Sequence, residues 1–204
     1  MITFFLIRHA ACNGLGQTLW GRTPGICLNE TGSYHAQRLA ERFDEIKLQA
    51  IYSSPLERAL HTAETIAARL KLDVKKSAAL NEIDYGEWTG KSFEVLAGNE
   101  RWRHFNTNRS ITEIPGGESF LKVQERVVKE LNALAGIHGN ARVALVSHAD
   151  VIRAAIGYFA AIPIDLIQRI EISPCSVSVI ALAADGPTLL TVNNKSDLSQ
   201  LWSH

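Results

Sequence analysis

Sulfur and net charge are what this chain has least of. Its three cysteines, Cys12, Cys27 and Cys175, are odd in number, scattered, and without CxxC spacing. That argues against a disulfide framework or a cysteine-ligated zinc site and fits a reducing, cytoplasmic compartment. Lys plus Arg and Asp plus Glu stand at 21 each, so no net positive field recommends nucleic acid or an anionic membrane as partner. Any anion site must therefore be local. No long apolar run is present either: the N-terminal apolar residues follow no basic stretch, are too few for a signal peptide or membrane span, and end in Arg8. Repeats, low-complexity tracts and linkers are missing. His35, His61, His104, His138 and His204 lack a metal-ligand spacing such as HExxH and read as surface or packing residues. With 46% hydrophobic residues over 204 positions, the expectation is one α/β domain spanning 1–204.

What is present is organised around residues 3–10, Thr-Phe-Phe-Leu-Ile-Arg-His-Ala. The apolar part reads as a buried strand, and Arg8 and His9 fall at its carboxyl end, where open parallel sheets build their sites. A neutral imidazole is a good nucleophile at pH 7, and a guanidinium offers a planar fork to phosphate oxygens. The loop that follows is rich in glycine. In it Asn13 and Thr23 could donate to an oxyanion and Arg22 could add charge, or they could be turn formers and a surface cation.

A helix starts at Asn29 or Thr31, with Thr31 a plausible N-cap, because Ala36, Leu39, Ala40 and Phe43 share one helical face. Residues 50–54 read as a second strand, and Pro55 opens a helix with a long apolar stripe. Arg58 lies off that stripe in the first turn, placed as Arg8 is. A cation there is disfavoured by the helix dipole unless an anion reverses the balance. Residues 81–90 lack periodicity and supply three candidate acids, Glu82, Asp84 and Glu87, for protonating a leaving alkoxide. A short helical excursion follows through Phe93, Leu96, Trp102, His104 and Phe105, its aromatics read chiefly as packing residues. Phe120, Val123, Val127, Leu131 and Leu134 mark an amphipathic helix. Residues 142–147 read as a central parallel strand that delivers His148 to a third strand-to-helix junction. Residues 177–182 and 189–192 would form a hairpin through Asp185, Gly186 and Pro187.

Four stretches, taken in order, resemble the signature blocks of the histidine phosphatase superfamily, the phosphoglycerate mutase-like enzymes. They are Leu6-Ile7-Arg8-His9; Ser53-Ser54-Pro55-Leu56-Glu57-Arg58-Ala59 with Thr62-Ala63-Glu64-Thr65; Asn81-Glu82-Ile83-Asp84-Tyr85-Gly86-Glu87-Trp88-Thr89-Gly90; and Val146-Ser147-His148. The resemblance implies a three-layer α/β/α sandwich with a mostly parallel sheet. It implies His9 as the phosphorylated nucleophile, Glu82 as proton donor, and Arg8, Arg58 and His148 on the phosphoryl oxygens. Asn13 and Thr23 fall where the family places further phosphate contacts, and Arg22 lies in the same loop. The chain departs from the common pattern at Ala10, Ala11 and Cys12, where Gly, Glu and Thr are frequent, and at Ala149, which follows the second histidine in place of Gly. Cys12 sits in the site loop and could be reactive.

The implied chemistry is hydrolysis of a small phosphomonoester through phosphohistidine, releasing inorganic phosphate, with no metal or cofactor. Arg8, Arg58 and a protonated His148 would supply the positive charge. Residues 82–117 are expected as an insertion over the site. Mutase-type transfer, which needs a closed, water-poor site, is the rival, and the roughly 35 residues available to cover the pocket favour hydrolysis. An inactive phosphate-binding relative is the alternative from another class, although binding alone needs neither a nucleophile nor an acid. Substrate identity, and whether the protein is a monomer or homodimer, are not written in these motifs.

Overall fold

The structure is a computed structural model describing residues 1–198; His204 lies outside them. The chain runs β1 (Ile2–Arg8), α1 (Glu30–Glu41), β2 (Ala50–Ser53), α2 (Glu57–Leu70), β3 (Val74–Lys76), α3 (Phe93–Ala97), α4 (Glu100–Thr107), α5 (Phe120–His138), β4 (Arg142–Ser147), α6 (Ala149–Phe159), β5 (Val177–Ala183) and β6 (Gly186–Asn194). The strands form one sheet in the order β3-β2-β4-β1-β5-β6. The first four are parallel; β5 and β6 are antiparallel additions.

β1 is apolar at nearly every position because the sheet is covered on both faces. Its side chains alternate between two cores. Phe4 and Leu6 join Tyr52, Val143, Leu145 and Ile180 in a cluster with residues of α5 and α6, while Phe5 and Ile7 join Ile51, Ala144, Val146 and Val179 in a cluster with residues of α1 and α2. Each such side chain contributes about 1.5–3 kcal/mol by leaving water, so the register of β1 is strongly fixed. The sandwich expected from the sequence is the fold observed. Its consequence is positional: β1, β2 and β4 are neighbours, and their carboxyl ends open on one rim.

Local details differ from the sequence reading. Asn29, not Thr31, caps α1: its Oδ1 accepts from Gly32 N–H at 2.7 Å. Pro55 precedes α2 by two residues instead of opening it, and the N-cap is Leu56. The Ser54 hydroxyl accepts the Leu56 N–H at 3.3 Å. β3, unforeseen, is a three-residue edge strand whose two lysines carry no alternating apolar signal. β6 begins at Gly186, three residues before the strand expected at Leu189, and Pro187 is tolerated because β6 is an edge. The aromatic excursion is a packed cluster, with Trp88 set edge-on to Trp102 at 5.3 Å and buried beside Phe105 at 5.5 Å.

Candidate active site

Where β1 ends, the backbone N–H of His9 donates to Ser147 O at 3.0 Å, tying the ends of β1 and β4 together. The His9 ring is held in turn by its own chain: Nδ1 lies 2.7 Å from Ala10 O. A carbonyl can only accept, so Nδ1 carries the proton and Nε2 presents its lone pair to the pocket. Arg58 Nε donates to that Nε2 at 3.3 Å. Burial, reinforced by Arg58 and Arg8, pushes the His9 imidazole well below its ordinary value. It is a neutral ring with a fixed tautomer.

Arg58 comes from the first turn of α2. Its Nη2 donates to Gly21 O at 2.8 Å and faces His148 Nδ1 at 3.3 Å. A guanidinium only donates, so His148 accepts at Nδ1 and its Nε2 carries the proton toward Ser54 Oγ at 3.0 Å. The Ser54 hydroxyl donates onward to Asn81 Oδ1 at 3.0 Å. His148 is fully buried, and burial followed by Arg58 pushes its imidazole well below the ordinary value. Burial and Arg58 thus disfavour the imidazolium that the sequence reading expected at His148.

Arg8 donates from Nη1 to Ile172 O at 2.6 Å. Its Nε and the Nη1 of Arg58 are buried donors without a protein partner. Such donors are costly unless something accepts from them, and both side chains line one cavity of about 300 Å³ with His9 and Glu82. Glu82 accepts its own segment's Ile83 N–H at Oε1 (3.0 Å), and its Oε2 stands 3.9 Å from His148 Nδ1. Burial, then the Asp150 charge, raise its carboxyl above the usual range, outweighing Arg58 and Arg8. The cavity thus holds an imidazole with an open Nε2, a carboxyl shifted toward its protonated form, and two guanidinium groups with spare donors.

Comparison with known proteins decides the family. The histidine phosphatase superfamily (branch 1) matches residues 4–195. The chain belongs to that superfamily. It is 32% identical over 212 aligned residues to phosphoserine phosphatase 1 of Hydrogenobacter thermophilus, covering 99% of this chain and 97% of that one. It is 37% identical over 160 residues to phosphoglycerate mutase-like protein 4 of Arabidopsis thaliana, covering 73% and 67%. A mutant phosphoserine phosphatase from Entamoeba histolytica, solved with phosphoserine, superposes with a TM-score of 0.87 at 25% identity over 97% of this chain and 100% of that one.

Within this histidine phosphatase the five main sequence candidates, Arg8, His9, Arg58, Glu82 and His148, come together, and Ala149 lines the same cavity. The remaining candidates stand elsewhere. Asn13 is exposed and meets Trp20 Nε1 through its backbone carbonyl at 2.8 Å. Thr23 is not part of the cavity lining; its N–H donates to Trp20 O at 2.9 Å. Arg22 is a brace and not a free cation: it donates to Glu82 O at 2.8 Å and Glu118 Oε1 at 2.7 Å. Asp84 Oδ1 accepts from Gly86 N–H at 3.0 Å, and Glu87 is exposed. Cys12 does line the cavity, but burial raises its thiol against the pull of Arg58 and Arg8, which keeps it protonated and a poor nucleophile.

Sequence reasoning gave no role to several residues at the site. Thr62 Oγ1 accepts the Ala10 N–H at 3.0 Å and donates to Arg58 O at 2.7 Å, joining the nucleophile's strand to the arginine's helix. Asp150, Arg109, Tyr85 and Arg153 also line the cavity. Asp150 had a readable signal, an acid two residues beyond His148 at the same strand-to-helix junction. Arg109 had none, since it lies between elements in a stretch without periodicity.

Proposed function

We propose that this protein hydrolyses small phosphomonoesters through a phosphohistidine on His9, without a metal ion. The observation that carries the reading is the His9 Nδ1 bond to Ala10 O, because it commits Nε2 to attack. In the first step Nε2 forms a bond to phosphorus as the ester P–O bond breaks, and the Glu82 carboxyl gives its proton to the leaving oxygen. In the second, water attacks phosphorus and loses a proton to the Glu82 carboxylate, and the P–N electron pair returns to Nε2. Arg8 Nε and Arg58 Nη1 supply the donors that developing equatorial charge requires, and a bound dianion favours a protonated His148, the proton arriving with the monoanionic form of the substrate.

Two arginines can do the work of a divalent cation here, and among the described residues no group of three or more His, Cys, Asp or Glu is arranged to hold a metal ion. Support for phosphate release over mutase transfer comes from the phosphatase relatives and from the short cover over the site, residues 82–117. No helix among the described residues is long and apolar enough to cross a membrane, and unpaired Cys12, Cys27 and Cys175 suit a reducing cytoplasm. The test is release of phosphate from p-nitrophenyl phosphate. Turnover should persist in excess EDTA and vanish in His9→Ala; loss in EDTA with recovery on adding a divalent cation refutes the metal-free reading.

A further inference from the structure

The two nitrogens of the His9 ring are joined by a closed circuit of hydrogen bonds that runs through protein groups alone. It leaves Nδ1 for Ala10 O at 2.7 Å, and the Ala10 N–H donates to Thr62 Oγ1 at 3.0 Å. The Thr62 hydroxyl donates to Arg58 O at 2.7 Å, and the Arg58 side chain closes the circuit, its Nε donating to His9 Nε2 at 3.3 Å. Ala10 and Thr62 are both fully buried. Thr62 stands one helical turn beyond Arg58 on α2 and is not part of the cavity lining, so it meets no substrate.

The link at Thr62 needs a hydroxyl. Its single proton is committed to Arg58 O, the carbonyl four residues back on the same helix, which leaves a lone pair for the Ala10 N–H. A methyl group in its place does neither, and the Ala10 N–H becomes a buried donor without an acceptor, which is costly. To regain a partner the Ala10 backbone must turn. Ala10 O, on the same residue, then moves away from Nδ1, and an unrestrained neutral imidazole populates both tautomers. Arg58 Nε also calls for a lone pair at Nε2, but that contact gives way when phosphorus takes its place there. From then on Ala10 O alone holds the ring.

We infer that Thr62 is a positioning residue: through Ala10 it keeps the His9 proton on Nδ1 and leaves Nε2 open at the moment of attack. For its effect on turnover the inference rests on the phosphohistidine reading above; for the tautomer it rests on the hydrogen bonds alone. The same hydroxyl ties the nucleophile's strand to the helix of Arg58, so the ring and the guanidinium beside it keep one spacing.

The experiment labels the imidazole nitrogens with ¹⁵N and follows His9 by NMR, beside steady-state turnover of p-nitrophenyl phosphate. The wild type should show one tautomer, protonated at Nδ1. Thr62→Val, of matching shape, should show nitrogen resonances moved toward a mixture of tautomers. Its kcat should fall about 10–100-fold, with inhibition by inorganic phosphate changed less than about twofold. Thr62→Ser, which keeps the hydroxyl, should restore the tautomer and most of kcat. If Thr62→Val does not fold, Thr62→Cys, whose thiol is a weak donor and acceptor, should show the same changes at smaller amplitude. A hydroxyl with a merely structural role lowers stability when removed and leaves the tautomer unchanged; that result, or a mixture of tautomers in the wild type, overturns the inference. A tautomer that depends on Thr62 in a protein that hydrolyses no monoester supports the positioning role and overturns the phosphatase reading instead.

Discussion

The His9 and His148 rings lie 5.1 Å apart, centroid to centroid, at an interplanar angle of 61°. Arg58 donates to a nitrogen of each. Burial disfavours the charged form of either ring, and protonation would also set a second cation against that guanidinium, so both are held below their ordinary values. Stability should follow. Below about pH 6.5 the unfolded chain takes up protons at these histidines that the fold refuses. The contribution is therefore fully present above that pH and is lost as pH falls toward the folded values, by up to roughly 1.4 kcal/mol per pH unit for each proton. Urea unfolding should show a lower midpoint at pH 5.5 than at 7.5, and His148→Asn should shrink the difference. An unchanged difference in that variant contradicts the assignment.

Glu82 carries the opposite shift, its carboxyl raised by burial and by Asp150. As an acid it works only while protonated, so turnover of alkyl phosphates should fall as pH rises through that raised value. Glu82→Gln should reduce kcat for alkyl esters by about 10²–10⁴-fold and remove this alkaline limb. The loss should be much smaller for phosphoenzyme formation from p-nitrophenyl phosphate, whose leaving group needs no proton. Equal losses on both substrates in that step count against Glu82 as the donor.

Glu118 is tied to the Glu82 backbone through two arginines. Its Oε1 accepts from Arg22 (2.7 Å), Arg126 (2.8 Å) and the Asp84 N–H (3.0 Å), and Arg22 and Arg126 each also reach Glu82 O. Glu118→Ala leaves two guanidinium groups without their shared carboxylate. It should cost about 2–3 kcal/mol after allowing for partial exposure. It should also lower kcat more than it raises KM, because the brace acts through Glu82. A pure KM effect from Arg22→Met would return Arg22 to the substrate-binding role expected from sequence.

Gly86 is locked into the same region. Its φ is +47°, and a Cβ there would lie 2.1 Å from Pro115 O, a backbone atom. Gly90 also has a positive φ, +80°, but open space around it. Gly90→Ala should cost about 1–2 kcal/mol from conformation alone. Gly86→Ala should cost more and reduce kcat as well, since the segment that closes on Pro115 carries Glu82. Equal stability losses in the two variants would show that the contact yields freely.

The legible parts of this molecule are those where one physical rule dominates. β1 and β4 are largely apolar runs because both faces are covered, and the residue just past the end of each is the histidine it delivers, His9 or His148. Arg58 was readable because a cation in a helix's first turn runs against the dipole. β3 was not readable, since Val74, Lys75 and Lys76 take their pairing from β2 at an exposed edge. Arg22 reads as a spare loop cation until folding brings Glu118 to it. Asp150 alone carries a signal, its place two residues past His148; its partners Tyr85 and Arg109 do not, because they share no period with it and meet it only through the packing of separate segments.

The central claim is the covalent step at His9. Rapid quench of the protein with a ³²P-labelled monoester should trap an acid-labile, alkali-stable phosphoryl group, mapped to the peptide carrying His9, that forms and decays at rates compatible with kcat. Absence of any trapped label, together with inversion at a chiral phosphate where two displacements require retention, would contradict the account.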